Sequence, residues 1–191
     1  MITIKKSDLN LLDMNNGNDA VHLTEMHQYY VSPAGSEHYR LLYQLAKSVN
    51  GKTFLDIGTY KGSSALALSN NKTNMVYSYN IINQLDCEFH DISNIVFVIK
   101  DVLLEPSEVL LNADCIVYDI APHNGTDEFG FYEYMKMIGY GGIAIFDDIH
   151  LNPSMDNFWN KIDLQKIDLT ELGHSSGTGA VFFGNERIIV E

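Results

Sequence analysis

From residue 53 onward, short apolar runs alternate with longer stretches that mix apolar and polar positions. The runs at 53–57, 75–79, 95–99, 114–118 and 142–146 are mostly continuous rather than alternating, as in parallel strands covered on both faces. Between and after them the pattern predicts helices over 63–69, 105–111, 126–138 and 154–160. Connections of this strand–helix–strand kind close as right-handed crossovers. Two further runs, 166–169 and 179–183, lie close enough to form an antiparallel pair at the sheet edge. The expected architecture is α/β: a Rossmann-like, doubly wound, mostly parallel seven-stranded sheet with an antiparallel edge hairpin and helices on both faces.

The N-terminal part is less patterned. Asn15-Asn16-Gly17-Asn18 reads as a turn. Ser32-Pro33 is a helix-start signal, serine as cap and proline at the first helical position. The helix it predicts runs to about 49, with Leu42, Leu45, Ala46 and Val49 on one face, and Asn50-Gly51 ends it. The expected organisation is therefore an irregular segment or lid over 1–31 and a single domain over 32–191.

At 191 residues the chain can bury a full core, and 46% hydrophobic with 19% charged residues is an ordinary globular balance. The net charge of −13 does change the picture. Nucleic-acid backbones and anionic membranes both require clustered lysine and arginine, so neither is expected as a partner. No apolar run approaches the ~20 residues that span a bilayer, and the opening MITIKKSDLN has no secretory apolar stretch. Cys87 and Cys115 lack metal-ligand spacing, and Cys115 reads as a buried thiol. A soluble, cytoplasmic protein with a small-molecule partner is the expectation.

Candidate chemistry concentrates at strand ends, where open α/β sheets bind their ligands. The stretch TFLDIGTYKGSSALAL, 53–68, reads as strand, glycine loop and helix start. It has Asp56, Gly58 and Gly62 rather than the G-x-G-x-x-G of dinucleotide sites, and an acid at the strand tip favours a cationic or hydroxyl-rich ligand. Without a ligand it is an ordinary turn. Asp56-Ile57-Gly58-Thr59-Tyr60-Lys61-Gly62-Ser63-Ser64-Ala65 resembles motif I of the class I S-adenosylmethionine-dependent methyltransferases. The resemblance is greatest to the branch with catechol-type and sugar O-methyltransferases. It implies S-adenosylmethionine contacts from Asp56, Gly58, Thr59, Tyr60, Gly62 and Ser63. At the next tip the family has an acid for the ribose hydroxyls; Asn80 stands there, able to accept one hydroxyl without charge. Asp101 is the family's position near the adenine amino group, or a helix cap.

Two later tips end in Tyr118-Asp119 and Phe146-Asp147-Asp148. Three unpaired carboxylates repel, and a divalent cation removes that difficulty. Oxygen ligands suit Mg²⁺, Ca²⁺ or Mn²⁺. The Asp119, Asp147, Asp148 arrangement resembles the metal triad of metal-dependent O-methyltransferases; helix capping by Asp147-Asp148 is the alternative. The resemblance further implies a base in the loop after Asp119, where His123 lies one residue beyond the family position, now Pro122. His150 is the rival base, and Asp119 counts with both histidines as catalytic. The reading is an O-methyltransferase using S-adenosylmethionine and a divalent cation, Mg²⁺ first, on a small polyhydroxylated acceptor. A sugar is favoured because the loop base is histidine rather than lysine. A metal-independent methyltransferase and a non-catalytic binding module are the alternatives, and a homodimer could complete the acceptor pocket.

Overall fold

A computed structural model describes residues 1–14, 27–85 and 92–191. The 15–18 turn, Cys87, His22 and His90 lie outside the described residues. Five parallel strands form the centre: β2 (Thr53–Ile57), β3 (Met75–Asn80), β4 (Ile95–Ile99), β5 (Cys115–Tyr118) and β6 (Ile143–Asp147). With β7 (Lys166–Asp168) and β8 (Thr178–Phe182) they give one seven-stranded sheet of order β4-β3-β2-β5-β6-β8-β7. Only β8 runs against its neighbours, pairing antiparallel with both β6 and β7. The sequence order reverses between β2 and β5, so the switch point lies beyond the ends of β2 and β5.

Helices cover both faces. On one side α3 (Tyr39–Lys47) and α4 (Ser63–Leu68) bury Leu41, Leu42, Leu45, Leu66 and Leu68 against Phe54, Val117 and Ile145. On the other, α5 (Ser107–Leu111), α6 (Thr126–Ile138) and α7 (Pro153–Lys161) pack Leu110, Phe131, Tyr132, Met135, Phe158 and Trp159 against Leu55, Ile116 and Phe146. Each large apolar side chain buried fully contributes about 1.5–3 kcal/mol. Cys115 is buried and unpaired to any disulfide. No helix among the described residues is long and apolar enough to cross a membrane.

Differences from the sequence pattern cluster in the N-terminal part. The helix expected from Ser32 begins at Tyr39 instead. Ser32 serves a turn: its Oγ donates to the Gln28 carbonyl behind α2 (His27–Tyr30), and its own carbonyl accepts from Arg40 Nε. The Arg40 guanidinium also donates to the carbonyls of Leu9, Leu12 and Val31, a full use of its donor fork that fixes the first segments onto α3. The first ten residues are ordered as well. Strand β1 (Ile2–Ile4) pairs in parallel with β9 (Ile188–Val190), and α1 (Lys6–Asn10) follows it. The helix expected over 105–111 is found as α5, beginning two residues later, with a separate 3₁₀ turn, Val102–Leu104, ahead of it.

Candidate active site

The loop after β2 is shaped by a close approach. Gly58 has φ +108° and lies so near β5 that an added Cβ would stand 1.6 Å from the Asp119 carbonyl oxygen. Its N–H and that of Thr59 both donate to the Tyr79 carbonyl, tying the loop to β3. Gly62, also left-handed, precedes α4. Tyr60 takes φ +42°, an uncommon conformation for a bulky side chain, and is half exposed.

Beneath this loop Asp56 is fully buried. Its Oδ2 accepts from Ser78 Oγ, which also lies 2.6 Å from Thr59 Oγ1. Burial pushes the Asp56 carboxyl up, against the Ser78 hydrogen bond. Asp56, Thr59, Gly62 and Ser63 thus shape the loop without lining the space in front of it.

That space is a cavity of about 850 Å³ across the ends of β2, β3, β4 and β5. Of the residues singled out in the sequence, Gly58, Tyr60, Asn80, Asp101, Asp119 and His123 line it. Asn80 Oδ1 accepts from the Ile81 N–H and its Nδ2 donates to Gln84. Asp101 caps the 3₁₀ turn, accepting from the Leu103 N–H at 2.9 Å, and faces the cavity as well. Tyr118 and Phe131, stacked at 4.3 Å between centroids, supply an apolar wall.

The other end of the site is crowded with ionisable groups. Asp119 carries a carboxyl pushed far up by burial first and by the charges of Asp147 and Asp148. His123, at φ +52°, places Nε2 3.8 Å from Asp119 Oδ1 and 3.4 Å from Asp148 Oδ2. Its carbonyl accepts from Asn152 Nδ2, and Asn152 in turn caps α7, so the loop is held from the helix behind it. His150 points elsewhere: Nδ1 lies 2.7 Å from Asp156 Oδ1 and Nε2 2.8 Å from Asp168 Oδ2. Between the two candidate bases, only His123 reaches the cavity.

Asp147 and Asp148 meet histidines that sequence spacing did not single out. The antiparallel register sets Thr178 opposite Asp147, and Thr178 Oγ1 donates to Asp147 Oδ1. His174, in the β7–β8 connection, puts Nδ1 3.2 Å from Asp147 Oδ2 and 3.1 Å from Asp148 Oδ1. His38, before α3, has Nδ1 3.1 Å from Asp147 Oδ1. Burial opposes charge on His38, but Asp147 outweighs it and holds the imidazole up at about 9. Hydrogen bonds to Asp147 and then Asp148 push His174 up to about 11. Conversely, burial acts to raise Asp147, yet the two imidazoles hold it well below the usual carboxylate range. Ser176 Oγ donates to Asp148 Oδ1. No local motif marks His38 or His174, because the fold alone brings β6, β8 and the segment before α3 together.

No family profile and no curated protein matches this sequence. The fold does match solved structures. TomG, an O-methyltransferase of Streptomyces achromogenes involved in tomaymycin synthesis and solved with S-adenosylmethionine, superposes with TM-score 0.55 at 15% identity over 94% of this chain and 96% of that one. An S-adenosylmethionine-dependent O-methyltransferase from Thermotoga maritima gives 0.53 at 11% identity, over 78% of this chain but 65% of its own length. A Bacillus cereus O-methyltransferase in complex with S-adenosylhomocysteine gives 0.50 at 16% identity over 91% and 90%. These matches show that the chain, with its strand order and reversed β8, shares the Rossmann-like fold of these methyltransferase structures.

Proposed function

We propose that this protein is an S-adenosylmethionine-dependent O-methyltransferase, assisted by a divalent cation, that methylates a hydroxyl of a small polyhydroxylated acceptor. One observation carries the reading: a single cavity at the switch point is lined by the Gly58 loop, Asn80 and Asp101 and also by Asp119 and His123. Its volume of about 850 Å³ suits a cofactor and small acceptor together, within the ~300–1,000 Å³ of small-molecule sites.

The residues fit both groups. Gly58 presents its backbone at the cavity wall, Asn80 offers a hydroxyl acceptor and Asp101 an acceptor for an amino group. Asp119, partly exposed at the cavity wall and with its carboxyl pushed up by desolvation and by the charges of Asp147 and Asp148, is the kind of group a cation relieves. When bound, the sulfonium would supply the methyl group and a cation would acidify the acceptor hydroxyl. His123 Nε2 would take the hydroxyl proton, and Asp119 and Asp148 on either side would stabilise the imidazolium formed. Tyr118 and Phe131 would exclude water from that end. An imidazole rather than an amine in this loop favours a sugar-type acceptor. A second copy of the chain would complete the acceptor side; strictly monomeric sedimentation at micromolar concentration would remove that element.

The test is a calorimetric titration of S-adenosylmethionine into the purified protein, once with Mg²⁺ and once with EDTA. Micromolar binding in both is expected, followed by methyl transfer to a polyol screen that EDTA suppresses. No binding under either condition would overturn the reading.

A further inference from the structure

The carboxylates at the end of β6 are faced by nitrogen as well as oxygen. Among the described residues one cluster brings three metal-ligating side chains together: His38, Asp147 and His174 each offer one ligand atom within 4.8 Å of the others. We propose that these three residues form a mixed imidazole–carboxylate site for a divalent transition cation of the Zn²⁺ or Co²⁺ kind, in place of an all-oxygen Mg²⁺ site.

The buried imidazole of His38, without a hydrogen-bond partner, is the independent observation. Its side chain is 5% exposed, yet neither ring nitrogen has a hydrogen-bond partner. Nδ1 is at hydrogen-bond distance from Asp147 Oδ1, 3.1 Å, but is not directed at it. Leaving a buried polar group without a hydrogen bond is destabilising, so the arrangement calls for a ligand. A cation coordinated by both groups needs no such alignment between them. Ligands at about 2.1 Å from one ion stand roughly 3.0–3.4 Å apart at octahedral or tetrahedral angles. The 3.1 Å from His38 Nδ1 and the 3.2 Å from His174 Nδ1 to the Asp147 oxygens match such edges.

The surroundings agree. The far nitrogen of His174, Nε2, lies 3.6 Å from Glu37 Oε2, an ion-pair separation that sets a carboxylate on the outer side of the ring. Asp148 Oδ1 and Ser176 Oγ stand 3.1 and 3.0 Å from His174 Nδ1, further oxygens within reach. Thr178 Oγ1 orients Asp147 from the opposite strand. Imidazole donors favour Zn²⁺, Co²⁺ or Fe²⁺ over Mg²⁺, whose preference is for oxygen. The site lies behind the cavity and reaches it through Asp148, which contacts His123.

This inference rests on the divalent-cation part of the proposed function and not on its methyl-transfer part. The experiment is calorimetric titration of the chelator-stripped, folded protein with Zn²⁺, Co²⁺ and Mg²⁺ in turn, with the visible spectrum of the Co²⁺ form. One Zn²⁺ or Co²⁺ per chain is expected, Mg²⁺ much weaker, and a Co²⁺ spectrum with nitrogen ligation. His174→Gln, on the more exposed ligand, should weaken Zn²⁺ about a hundredfold, as loss of a ligand at least matches the 10–100-fold loss of a supporting partner. His38→Gln should do the same, and the wild-type Co²⁺ spectrum decides the matter if either variant fails to fold. Binding of Mg²⁺ as tight as Zn²⁺, insensitive to both substitutions but lost in Asp119→Asn, would overturn the proposal for the oxygen triad. No binding of any ion would overturn it for plain ion pairs. Parallel titration with S-adenosylmethionine separates a wrong cation from a wrong cofactor.

Discussion

The two ends of the crevice are built on different principles. At the β2–β3–β4 end, polar groups are mostly held locally: one Asp56 oxygen by Ser78, although the other lacks a partner, Asn80 by Ile81 and Gln84, Asp101 by the turn it caps. What is left open is backbone and apolar surface. At the β5–β6–β8 end, Asp119, Asp147 and Asp148 crowd three histidines, and His38 faces Asp147 without an aligned hydrogen bond. The first end is a receptacle whose lining is largely backbone and apolar surface, suited to holding a ligand by shape. The second gathers charge in a poorly hydrated place where pKa values move, the kind of setting in which functional groups are found. Perturbing the first should change fold or binding, whereas perturbing the second should change chemistry and charge balance.

The harshest way to break the receptacle is Gly58→Ala. The new Cβ would collide with the Asp119 backbone at 1.6 Å and sit at φ +108°, so β2 and β5 must separate. A loss of about 4–5 kcal/mol, the exceptional end of single substitutions, is expected in urea unfolding. An unchanged midpoint would show that the loop gives way instead. At the charged end the comparable change is Asp147→Ala. It removes the partner of both His38 and His174, and breaking a buried pair costs about 3–5 kcal/mol. Turnover should vanish with it. Activity that survives Asp147→Ala unchanged would refute the cation reading of this end.

Much of the receptacle was legible in the sequence, and little of the charge store. Strands β2 to β6 are apolar runs whose pattern is local, and each falls within a residue or so of its expected span. Gly58 and the tip residues followed from those spans. Ser32-Pro33 misled because Arg40, eight residues on, captures the Ser32 carbonyl for a turn. Strands β1 and β9 escaped notice because each has three residues and pairs across the whole chain. His38 and His174 reach Asp147 only through the β6–β8 register and the packing of α3, and neither fact is written in local spacing.

His123→Ala sharpens the division further. A positioned base contributes about 10²–10⁴-fold to rate, so kcat should fall at least a hundredfold while S-adenosylmethionine affinity holds. Equal loss in binding would move His123 to the receptacle. Asn80→Asp acts on the other end, where a charged acceptor hydrogen-bonds ribose hydroxyls about twice as strongly as a neutral one. Cofactor affinity should rise several-fold in calorimetry, with kcat little changed. Weaker binding would place Asn80 away from the ribose.

His150 provides the smallest effect and the cleanest control, because it is a histidine near the charged end that faces away from the cavity. Burial works against its charge, but hydrogen bonds to Asp168 and Asp156 prevail and raise its pKa above 6.5. A raised pKa means the folded state holds the proton more tightly. The stabilisation is therefore complete below the unfolded value, near 6.5, and fades as pH climbs through the raised one. The imidazole is partly exposed, so solvent screening limits the pair to under about 1 kcal/mol. His150→Gln should accordingly lower stability slightly at pH 6 and by less at pH 9, with turnover within about twofold of wild type, since surface changes away from a site are usually small. A large fall in kcat without loss of stability would exchange the roles of His150 and His123, and the boundary between the charged end and its structural surroundings would have to be redrawn through α7.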